Sequence, residues 1–596
     1  MKLSGLLTLL MIGFLAGDLS AQTGTDQKNE SSKVAPATEF VLSADKLFEA
    51  EHLVDVQIEL PPADWDKICK QSRQFTEALS KESPESPFEY VKGNVTIDGR
   101  LIENVGIRKK GFIGSLDGTR PSLKIKFDEY VDQDPVEGMD RVTLNNNKQD
   151  PARYCQYLSY KLFRDSGTPA PRCNFAKVTV NGDYLGIYSH VESMRKPMLA
   201  HAFEDGSGAL WEGTLTDFMP NWYRRFEKKN KKAKKKHLKK LTKILAEDPL
   251  DLEKLKEVVD VQAFVRFWAM ESLIGFWDGY CSNQNNFFVY RNPTDKKFYF
   301  IPWGTDSSFS KTTPLPPYRI RPMSVHSKSI LCNRLYRIPE IQELYQETLM
   351  QFLDDHWNED ELLAEIQRLE DFLKDEVQEQ NTGFQERSDR NRDFVSWRRK
   401  ALMREFRKGP PELRSRERTP IYFDEIGTAQ LEFSTVWHDR TPRKGQEIGD
   451  VTIELTLDGE VIEFEQVGAY SERSKWPTPE KVKPAAIVVT GKRKSDGKTI
   501  TLGMSVADDD FNPTGDGDVE IGGILMFDNA FVDSKGRMQM INGKVKLQKT
   551  STEDGQPVTG SMEITIMKMK GGDEAKDAAD QKEEKSDPPG SESDDG

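Results

Sequence analysis

Hydrophobic residues alternate with polar ones through much of the last third of the chain, a pattern that predicts one strand after another. The clearest runs are AQLEFSTV, DVTIELTL, AAIVVTG, TITLGMSV, GGILMFD, GKVKLQK and SMEITIMK, all between residues 418 and 570. A period of two places one side of each strand on a core. Turn residues such as Asp458-Gly459 and Asp554-Gly555 separate several runs. We therefore expect an all-β, sandwich-like domain here, with a barrel as the alternative.

The middle of the chain alternates strands with helices, and one of its hairpins carries positive charge. Val105–Phe127 predicts a strand, a glycine-rich turn and a second strand. Lys124 and Lys126 share one face of the second strand, and Arg108 and Lys110 share one face of the first. A hairpin with a cationic face and a glycine turn suits the binding of phosphates. On this stretch alone, an ordinary lysine-rich face toward solvent is the favoured alternative.

The segments that follow the hairpin predict a helix, a second hairpin and a longer helical region. The first helix is expected to begin at Pro151 with Asp150 as its cap. AKVTVNGDYLGIYSHVE predicts a hairpin that turns at Asn181-Gly182, and Glu192 follows it directly. The helical region ends in VQAFVRFWAMESLIGFWD, so the helix is expected to run to Asp278.

Polar side chains interrupt the apolar run FWDGYCSNQNNFFVY, residues 276–290. Asp278 and Asn283 lie in this run, and the next strand, within KKFYFIPWGTDSSF, brings Asp306 just past its end. A hairpin of the two strands would place all three residues at one end of a sheet. Phosphoryl transfer needs such a set, because one carboxylate orients the hydroxyl while an amide and a second carboxylate hold magnesium. Separate turn-capping residues are the alternative, but capping does not explain their order behind a cationic hairpin.

Taken together, these pieces resemble the spore coat protein CotH kinase family, a divergent branch of the protein-kinase-like fold. The matching segments, from about Val54 to Lys311, are VGIRKKG, RPSLKIKF, LFRDSGTPAPR, VNGDYLGIYSHVE, DGYCSNQNNFFVYRN and KKFYFIPWGTDSSF. The resemblance implies an α+β, two-lobed kinase-like domain that binds ATP with magnesium or manganese. It assigns the catalytic role to Asp278 and the metal-binding roles to Asn283 and Asp306.

The resemblance also implies a set of nucleotide-binding residues. Lys124 or Lys126 would contact the phosphates, with Arg108 and Lys110 on the neighbouring strand. The set is completed by Glu192 at the hinge and Trp303 near the adenine.

The chain departs from the family pattern at two points. Relatives often read Pro-Trp-Asp-x-Asp at the metal-binding strand, whereas here Gly304 replaces the first aspartate. The helix at residues 151–165 offers no glutamate to pair with a strand lysine. Gly304 leaves room for weakened metal binding or for an inactive relative.

Charge and composition divide the chain into further segments. Residues 1–21 predict a secretory signal peptide, which implies a secreted, periplasmic or envelope protein without a membrane-spanning segment in its mature form. Residues 22–45 predict a polar linker, residues 46–410 the kinase-like domain and residues 418–570 the β-rich domain. Residues 571–596 carry ten acidic and three basic side chains and predict a disordered tail.

The segment Arg224–Lys243, RRFEKKNKKAKKKHLKKLTK, is strongly basic. It predicts either a solvated helix or a docking surface for an acidic protein or polymer. Nucleic acid is not an expected partner, because the predicted protein is exported and carries a net charge of −14.

The cysteines and one acidic stretch bear on disulfides and metal binding. Five scattered cysteines without a CxxC pair allow at most two disulfides and argue against zinc. The acidic stretch ADDDFNPTGDGDVE resembles a calcium loop at Asp510–Asp516, but its closing Glu520 comes one residue early. An acidic turn is the preferred interpretation, with calcium as the alternative.

The sequence thus predicts a secreted atypical protein kinase that transfers the γ-phosphate of ATP to Ser or Thr of an exported protein with magnesium. The alternative is a catalytically weak, pseudokinase-like scaffold, a surface adhesin or a structural envelope protein.

Overall fold

The structure of the chain, a computed structural model, describes residues 42–570 except for short gaps. The gaps are residues 74–75, 77–78, 81, 84, 221, 315–318, 378–382, 414–415, 420, 444–447, 476–482, 508–509, 513–517 and 531–536. The predicted signal peptide, most of the linker 22–45, the tail 571–596 and most of the calcium-loop candidate Asp510–Asp516 therefore lie outside the described residues.

Strands near the start of the described chain close into a barrel. They are β1 (Leu53–Glu59), β2 (Val91–Ile97), β3 (Arg100–Lys110), β4 (Ser122–Lys126), β5 (Arg141–Asn145), β6 (Cys173–Val180) and β7 (Asp183–Val191). Their order is β1-β2-β3-β4-β5-β7-β6, and β1 closes the ring by pairing in parallel with β6. Apolar residues at alternate positions, such as Val54, Val56 and Ile58 of β1, form a buried cluster. Helices α1 (Ala44–Leu47) and α2 (Pro62–Lys70) contribute to the same cluster.

Both hairpins that the sequence predicts are present in the barrel. The pairing of β3 with β4 places Arg108 opposite Lys124 and Lys110 opposite Ser122. The β6–β7 hairpin turns at Asn181-Gly182, whose φ angles of 51° and 91° are the positive values that a tight hairpin turn requires.

A second region combines a small sheet with a helical core. Its sheet has the order β11-β10-β8-β9, formed by β8 (Ala209–Gly213), β9 (Glu227–Lys228), β10 (Phe287–Arg291) and β11 (Phe298–Pro302). Helix α3 (Cys155–Asp165) comes before β6 in the chain. The helices that follow the barrel strands are α4 (Lys196–Phe203), α5 (Lys235–Leu245), α6 (Leu252–Lys256), α7 (Val261–Leu273), α8 (Tyr280–Asn283), α9 (Ile330–Leu335), α10 (Pro339–Asp355), α11 (Glu359–Leu373) and α12 (Gly383–Phe406). Helix α7 is central, because its Phe264 and Phe267 rings pack against Phe300 of β11. No helix within the described ranges combines the length and the apolar character that crossing a bilayer requires.

Two helix ends differ from the sequence expectation. The helix expected from Pro151 begins later, as α3, because the Asp150 carboxylate accepts a hydrogen bond from the first N–H of α3 at 2.7 Å. Helix α7 was expected to reach Asp278, but it ends earlier, near Gly275. The φ angle of Gly275, 62°, is left-handed and turns the chain out of the helix.

The last part of the described chain forms one antiparallel sheet. Its strands are β12 (Tyr422–Val436), β13 (Asp450–Leu457), β14 (Glu460–Val461), β15 (Phe464–Arg473), β16 (Ala485–Arg493), β17 (Thr499–Val506), β18 (Val519–Phe527), β19 (Gln539–Lys549) and β20 (Pro557–Lys570), in the order β14-β13-β12-β20-β19-β18-β17-β16-β15. Bridges of Gly449 with Ala469 and of Trp437 with Ser471 bring β15 back to β12 and β13, so the sheet rolls around an apolar core. The α+β class with an all-β C-terminal region is confirmed, in a rolled, barrel-like form.

All five cysteines lie in the described part of the chain, and none forms a disulfide there. Cys155, Cys173, Cys281 and Cys332 are buried, and Cys69 is half-buried. Burial raises the pKa of each of these thiols.

Candidate active site

Asp278 lies in a short loop between α7 and α8, and buried Glu271 holds that loop. The Glu271 carboxylate accepts hydrogen bonds from the backbone N–H groups of Tyr280 at 3.1 Å and Cys281 at 2.8 Å. Gly279 passes so close that a Cβ atom there would lie 2.5 Å from Glu271 Oε1, so a larger residue would displace the carboxylate. Burial raises the pKa of Glu271 to about 7, and the Asp278 carboxylate adds to this rise against the opposing N–H donors.

Three amide side chains surround the Asp278 carboxylate. Asn283 Nδ2 donates to Oδ1 at 2.5 Å, and Asn285 Nδ2 donates to the same oxygen at 3.1 Å. Asn286 Nδ2 donates to Oδ2 at 2.9 Å. Burial raises the pKa of Asp278, while the three amides oppose the rise because they stabilise the charged form. Within the described residues Oδ2 accepts one side-chain hydrogen bond, which leaves it able to accept another from a hydroxyl group.

A second buried carboxylate, Asp217, ties the same loop to α9. Its Oδ1 accepts from the Tyr280 hydroxyl at 2.9 Å. Its Oδ2 accepts from Gln284 Nε2 at 2.8 Å and from the Ile330 N–H at 2.7 Å. Burial raises the pKa of Asp217 to about 6, although the hydrogen bonds act in the opposite direction. The loop of Asp278 is therefore held from two sides by buried acids.

Arg418, from the segment between α12 and β12, reaches Asn283. Its Nη1 donates to Asn283 Oδ1 at 2.7 Å, and its Nη2 donates to the Asn283 carbonyl at 2.5 Å. The Arg418 N–H also donates to the Lys328 carbonyl at 2.7 Å, which fixes the segment beside the loop. An asparagine binds a metal ion through its amide oxygen, so Arg418 and a metal ion would compete for Asn283 Oδ1.

Asp306 lies just past β11 in the 3-10 turn Thr305–Ser307. The Trp303 N–H donates to the Asn286 carbonyl at 3.0 Å, and Asn286 also donates to Asp278. The pairing of β10 with β11 thus brings the Asp306 turn beside the Asp278 loop, which is the arrangement that the order of the segments suggested.

Two neighbouring carboxylates and one lysine influence the pKa of Asp306. Burial raises the pKa of Asp306 to about 7, the carboxylates of Asp150 and Asp278 add to this rise, and the Lys110 ammonium opposes it. Asp150 is itself fully buried, and its Oδ1 lies 3.7 Å from Arg387 Nε. The carboxylates of Asp150 and Asp278 thus disfavour the ionised form of Asp306, an effect that a divalent cation bound nearby would oppose.

Lysines of the barrel face these acids. Lys110 Nζ donates to Asn145 Oδ1 and lies 5.6 Å from the centre of the Trp303 ring. Burial lowers the pKa of Lys110 to about 8, whereas the carboxylates of Glu212 and Asp306 act in the opposite direction. Lys110 therefore belongs to both the barrel and the carboxylate cluster.

Lys124 shares a second acidic neighbour with Lys110. Burial lowers the pKa of Lys124 well below its ordinary value, and the positive charges of Arg108 and Lys229 add to the effect. Glu212 Oε2 accepts from Lys229 Nζ at 2.7 Å. Burial raises the pKa of Glu212, but the lysines around it outweigh burial and keep that pKa below its ordinary value. Glu212 of β8 thus faces the strand lysines in the absence of a glutamate on α3.

Two residues of the predicted set are engaged away from this cluster. Lys126 is the last residue of β4, whereas Ser122 is the first. The Lys126 ammonium pairs with the Glu129 carboxylate at 2.8 Å. Glu192, at the exit from β7, binds Arg172 through a side-chain contact of 2.8 Å and a backbone N–H at 3.1 Å. Lys124 is therefore the better placed of the two strand lysines, and the hinge role of Glu192 stays a prediction.

Gly304 shapes the metal side of the site. Its φ angle of 53° is left-handed, and a Cβ atom there would lie 3.0 Å from Asn286 Oδ1. An aspartate at this position would therefore require Asn286 to move. No group of three or more His, Cys, Asp or Glu side chains in the described ranges could hold a metal ion. A magnesium site here would draw its protein oxygens from Asp306 and Asn283.

Sequence reasoning did not identify several parts of the site. Glu212 carried a signal, because it is the charged residue in the apolar strand ALWEG. Asp150 was interpreted only as a helix cap. Arg418 carried no local signal, because it lies 135 residues from Asn283 and meets it only in the folded chain.

The lysines of the barrel and the carboxylates of the second region meet where Lys110 contacts Trp303, a combination that indicates a kinase-like protein. A family model described as CotH kinase protein matches residues 107–404, which is half of the 596 residues. The chain therefore belongs to the CotH kinase protein family.

Named relatives are distant. Spore coat protein homolog 1 of Rhizopus delemar is 24% identical over 261 residues, covering 39% of this chain and 42% of the relative. Inner spore coat protein H of Bacillus subtilis is 23% identical over 278 residues, covering 43% of this chain and 75% of the relative. The chain thus spans less than half the length of the Rhizopus relative. The solved structure of the Helicobacter pylori proinflammatory kinase CtkA overlaps 48% of this chain and 94% of its own at 8% identity, with a TM-score of 0.24.

Proposed function

We propose that the chain is an atypical protein kinase that transfers the γ-phosphate of ATP to a serine or threonine of an exported protein. The supporting observation is a chain of contacts from the barrel to Asp278. Lys110 Nζ lies 5.6 Å from the centre of the Trp303 ring, the Trp303 N–H donates to the Asn286 carbonyl, and the Asn286 side chain donates to Asp278. Phosphoryl transfer needs cations for the phosphates and a carboxylate for the attacking hydroxyl close together, and this site supplies both.

Asp278 would orient the acceptor hydroxyl through Oδ2. The hydroxyl oxygen forms a bond to the γ-phosphorus while the bond from that phosphorus to the β,γ-bridging oxygen breaks. ADP leaves, and the hydroxyl proton passes to Asp278. The amides of Asn283, Asn285 and Asn286 fix the carboxylate and favour its ionised form, so the hydroxyl would approach in one orientation.

ATP with magnesium or manganese fits this set of donors. Asp306 and Asn283 would hold the metal ion, because carboxylate and amide oxygens are ligands that magnesium prefers. The bound ion would neutralise charge on the phosphates. Lys110 and Lys124 would contact the phosphates, and Trp303, beside Lys110, would lie near the base.

The relatives named as spore coat proteins support action at a cell envelope or surface. The predicted signal peptide at residues 1–21 agrees with this location. We therefore place the acceptor hydroxyl on another exported protein.

A second candidate is a scaffold that binds nucleotide without transferring phosphate. Arg418 supports it, because its guanidinium occupies the amide oxygen of Asn283. Gly304 supports it as well, because it supplies no carboxylate. A site that keeps its lysines but holds the metal ion weakly would bind ATP and transfer phosphate slowly or not at all.

Transfer of radiolabelled phosphate to a serine-rich acceptor protein, with magnesium or manganese, tests the first candidate. We expect Asp278→Asn to abolish transfer and to leave thermal stabilisation by ATP intact, since Asp278 faces the hydroxyl and not the nucleotide. Asp295→Asn, a change in the β10–β11 turn, is the matched control and should transfer phosphate as the unmodified chain does.

The outcomes separate the candidates. Equal transfer by Asp278→Asn and by the unmodified chain would refute the catalytic role. Stabilisation by magnesium–ATP without transfer would favour the scaffold, since a ligand at about 100 times its Kd stabilises by about 2.7 kcal/mol. Neither binding nor transfer would leave a purely structural role.

A further inference from the structure

Helix α5 carries a stripe of exposed lysines. Lys236, Lys239, Lys240 and Lys243 recur at spacings of three and four residues and are all exposed, so they share one face of the helix. The opposite face, including Leu238, is buried in the core of the second region. The fold therefore fixes the direction in which this charge points, which the sequence alone left open. We call these four residues the lysine stripe.

The four lysines of the stripe form no ion pair within the described part of the chain. Among the ion pairs formed there, residues 231–243 contribute one, between Lys235 and Glu82 at 3.6 Å. Like charges three and four residues apart on a helix repel each other. An acidic occupant would remove this repulsion and add attraction of its own.

The described chain ends beside this helix. Lys570, the last residue of β20, pairs with Tyr422 of β12. The Tyr422 ring packs edge-on against Trp222 at 5.0 Å between ring centres. Trp222 belongs to the 3-10 turn Trp222–Arg225, which packs against α5, and Arg225 donates to the Ile421 carbonyl at 2.8 Å. Three successive contacts therefore connect the strand end that precedes residue 571 with α5.

The residues that follow are acidic. Residues 571–596 carry ten Asp or Glu and three Lys. A chain of this length can extend to about 86 Å at roughly 3.3 Å per residue, whereas the lysine stripe is only about 11 Å long at 1.5 Å per residue. A short tether also gives an effective concentration in the millimolar range, which favours this segment over an acidic partner in solution.

We propose that the acidic segment at residues 571–596 binds the lysine stripe of α5 in the same molecule. Opposite charge draws the two together, and the position of Lys570 supplies the tether. The stripe is then covered in the isolated chain, and an external polyanion must displace the segment in order to bind. This inference is independent of the proposed phosphate transfer, because none of its evidence comes from the candidate active site.

Binding of heparin to the full-length chain tests the proposal. In one variant the ten acidic residues of the segment become Asn or Gln, which keeps its length. In a second variant the four lysines of the stripe become Gln, and a third variant combines both changes. A matched control carries Lys92→Gln, Lys400→Gln, Lys408→Gln and Lys546→Gln, four exposed lysines on other elements.

We expect neutralisation of the segment to raise heparin affinity about tenfold at about 50 mM salt, where charges are weakly screened. The same neutralisation should have no effect once the lysine stripe is removed, but should keep its full effect in the control background. Carbodiimide cross-linking of the unmodified chain, read by mass spectrometry, should join Asp or Glu of residues 571–596 to lysines of the stripe within one molecule.

Three results would overturn the proposal. One is unchanged heparin affinity after neutralisation of the segment. Another is an equal gain of affinity in the background without the lysine stripe. The third is cross-links that form only between molecules, with a yield that rises with protein concentration, which would assign the stripe to the acidic segment of another copy of this chain. Circular dichroism would check that each variant is folded.

Discussion

Replacing Glu271 with glutamine removes a buried negative charge beside Asp278 but keeps one oxygen that can accept a backbone hydrogen bond. Burial raises the pKa of Glu271 from 4.5 to about 7. A group whose pKa is raised on folding contributes stability below its unfolded value, and that contribution is lost as the pH rises through its folded value. At about 1.4 kcal/mol per pKa unit, the unmodified chain loses about 3 kcal/mol over this range through Glu271.

The glutamine side chain does not titrate, so Glu271→Gln should not share this loss. We expect the variant to be the less stable protein at about pH 5 and to gain about 2.5 kcal/mol relative to the unmodified chain by about pH 8. Glu271→Ala leaves the N–H groups of Tyr280 and Cys281 unpaired, at about 1–3 kcal/mol each. It should therefore be less stable than Glu271→Gln at both pH values.

Urea unfolding followed by tryptophan fluorescence, at both pH values, measures these differences in the free energy of unfolding. Hydrogen exchange at Tyr280 and Cys281 should become faster in Glu271→Ala, because both amides lose their acceptor. Glu370→Gln removes another buried carboxylate, one that pairs with Arg392 at 2.5 Å, and serves as the control. A pH-independent gap between the unmodified chain and Glu271→Gln would refute the reasoning, as would unchanged exchange at the two amides.

Three further predictions concern the candidate active site. Lys124→Met should weaken ATP binding about tenfold or more in calorimetry, because a charge-assisted contact with phosphate is worth about 1.5–3 kcal/mol. Lys126→Met, on the same face of β4, should change ATP binding less than about twofold, and equal losses in the two variants would contradict the assignment. Asp306→Asn should remove the dependence of ATP-induced thermal stabilisation on magnesium, and a stabilisation that keeps its full magnesium dependence would exclude Asp306 as a ligand. Arg418→Gln should lower the free energy of unfolding by about 1.5–3 kcal/mol, since a charged hydrogen-bond donor is lost. The same change should tighten magnesium-dependent ATP binding by freeing Asn283 Oδ1, and weaker binding would show that Arg418 supports the site.

Local patterns predicted most of the fold, because strands and hairpins leave their period and turn residues in the sequence. DVTIELTL and TITLGMSV match β13 and β17 from end to end. The strands β14 and β15 were not predicted, because Glu460–Val461 is too short and Phe464–Arg473 mixes polar and apolar residues without strict alternation. Their place in the sheet depends on partners from distant parts of the chain.

The candidate site likewise combines residues that are close in sequence with residues that only tertiary packing brings together. Asp278 and Asn283 are close in sequence, so their hydrogen bond could be anticipated from one loop. Glu212 and Arg418 join the site only because β8 lies beside β10 and because the segment before β12 returns to α8. Contacts of this kind depend on tertiary packing, and no period or motif in the sequence records them.

The parallel pairing of β1 with β6 sets the smallest piece of this chain that can be studied alone. The family match begins at residue 107, inside β3, whereas β1 and β2 lie before it. A fragment cut at residue 107 would strip β6 of its parallel partner and β3 of its β2 neighbour. Two rows of unsatisfied backbone groups would then be open to other molecules, the situation that promotes aggregation. The stretch shared with relatives is therefore shorter than the stretch that folds, and expression should begin ahead of Leu53.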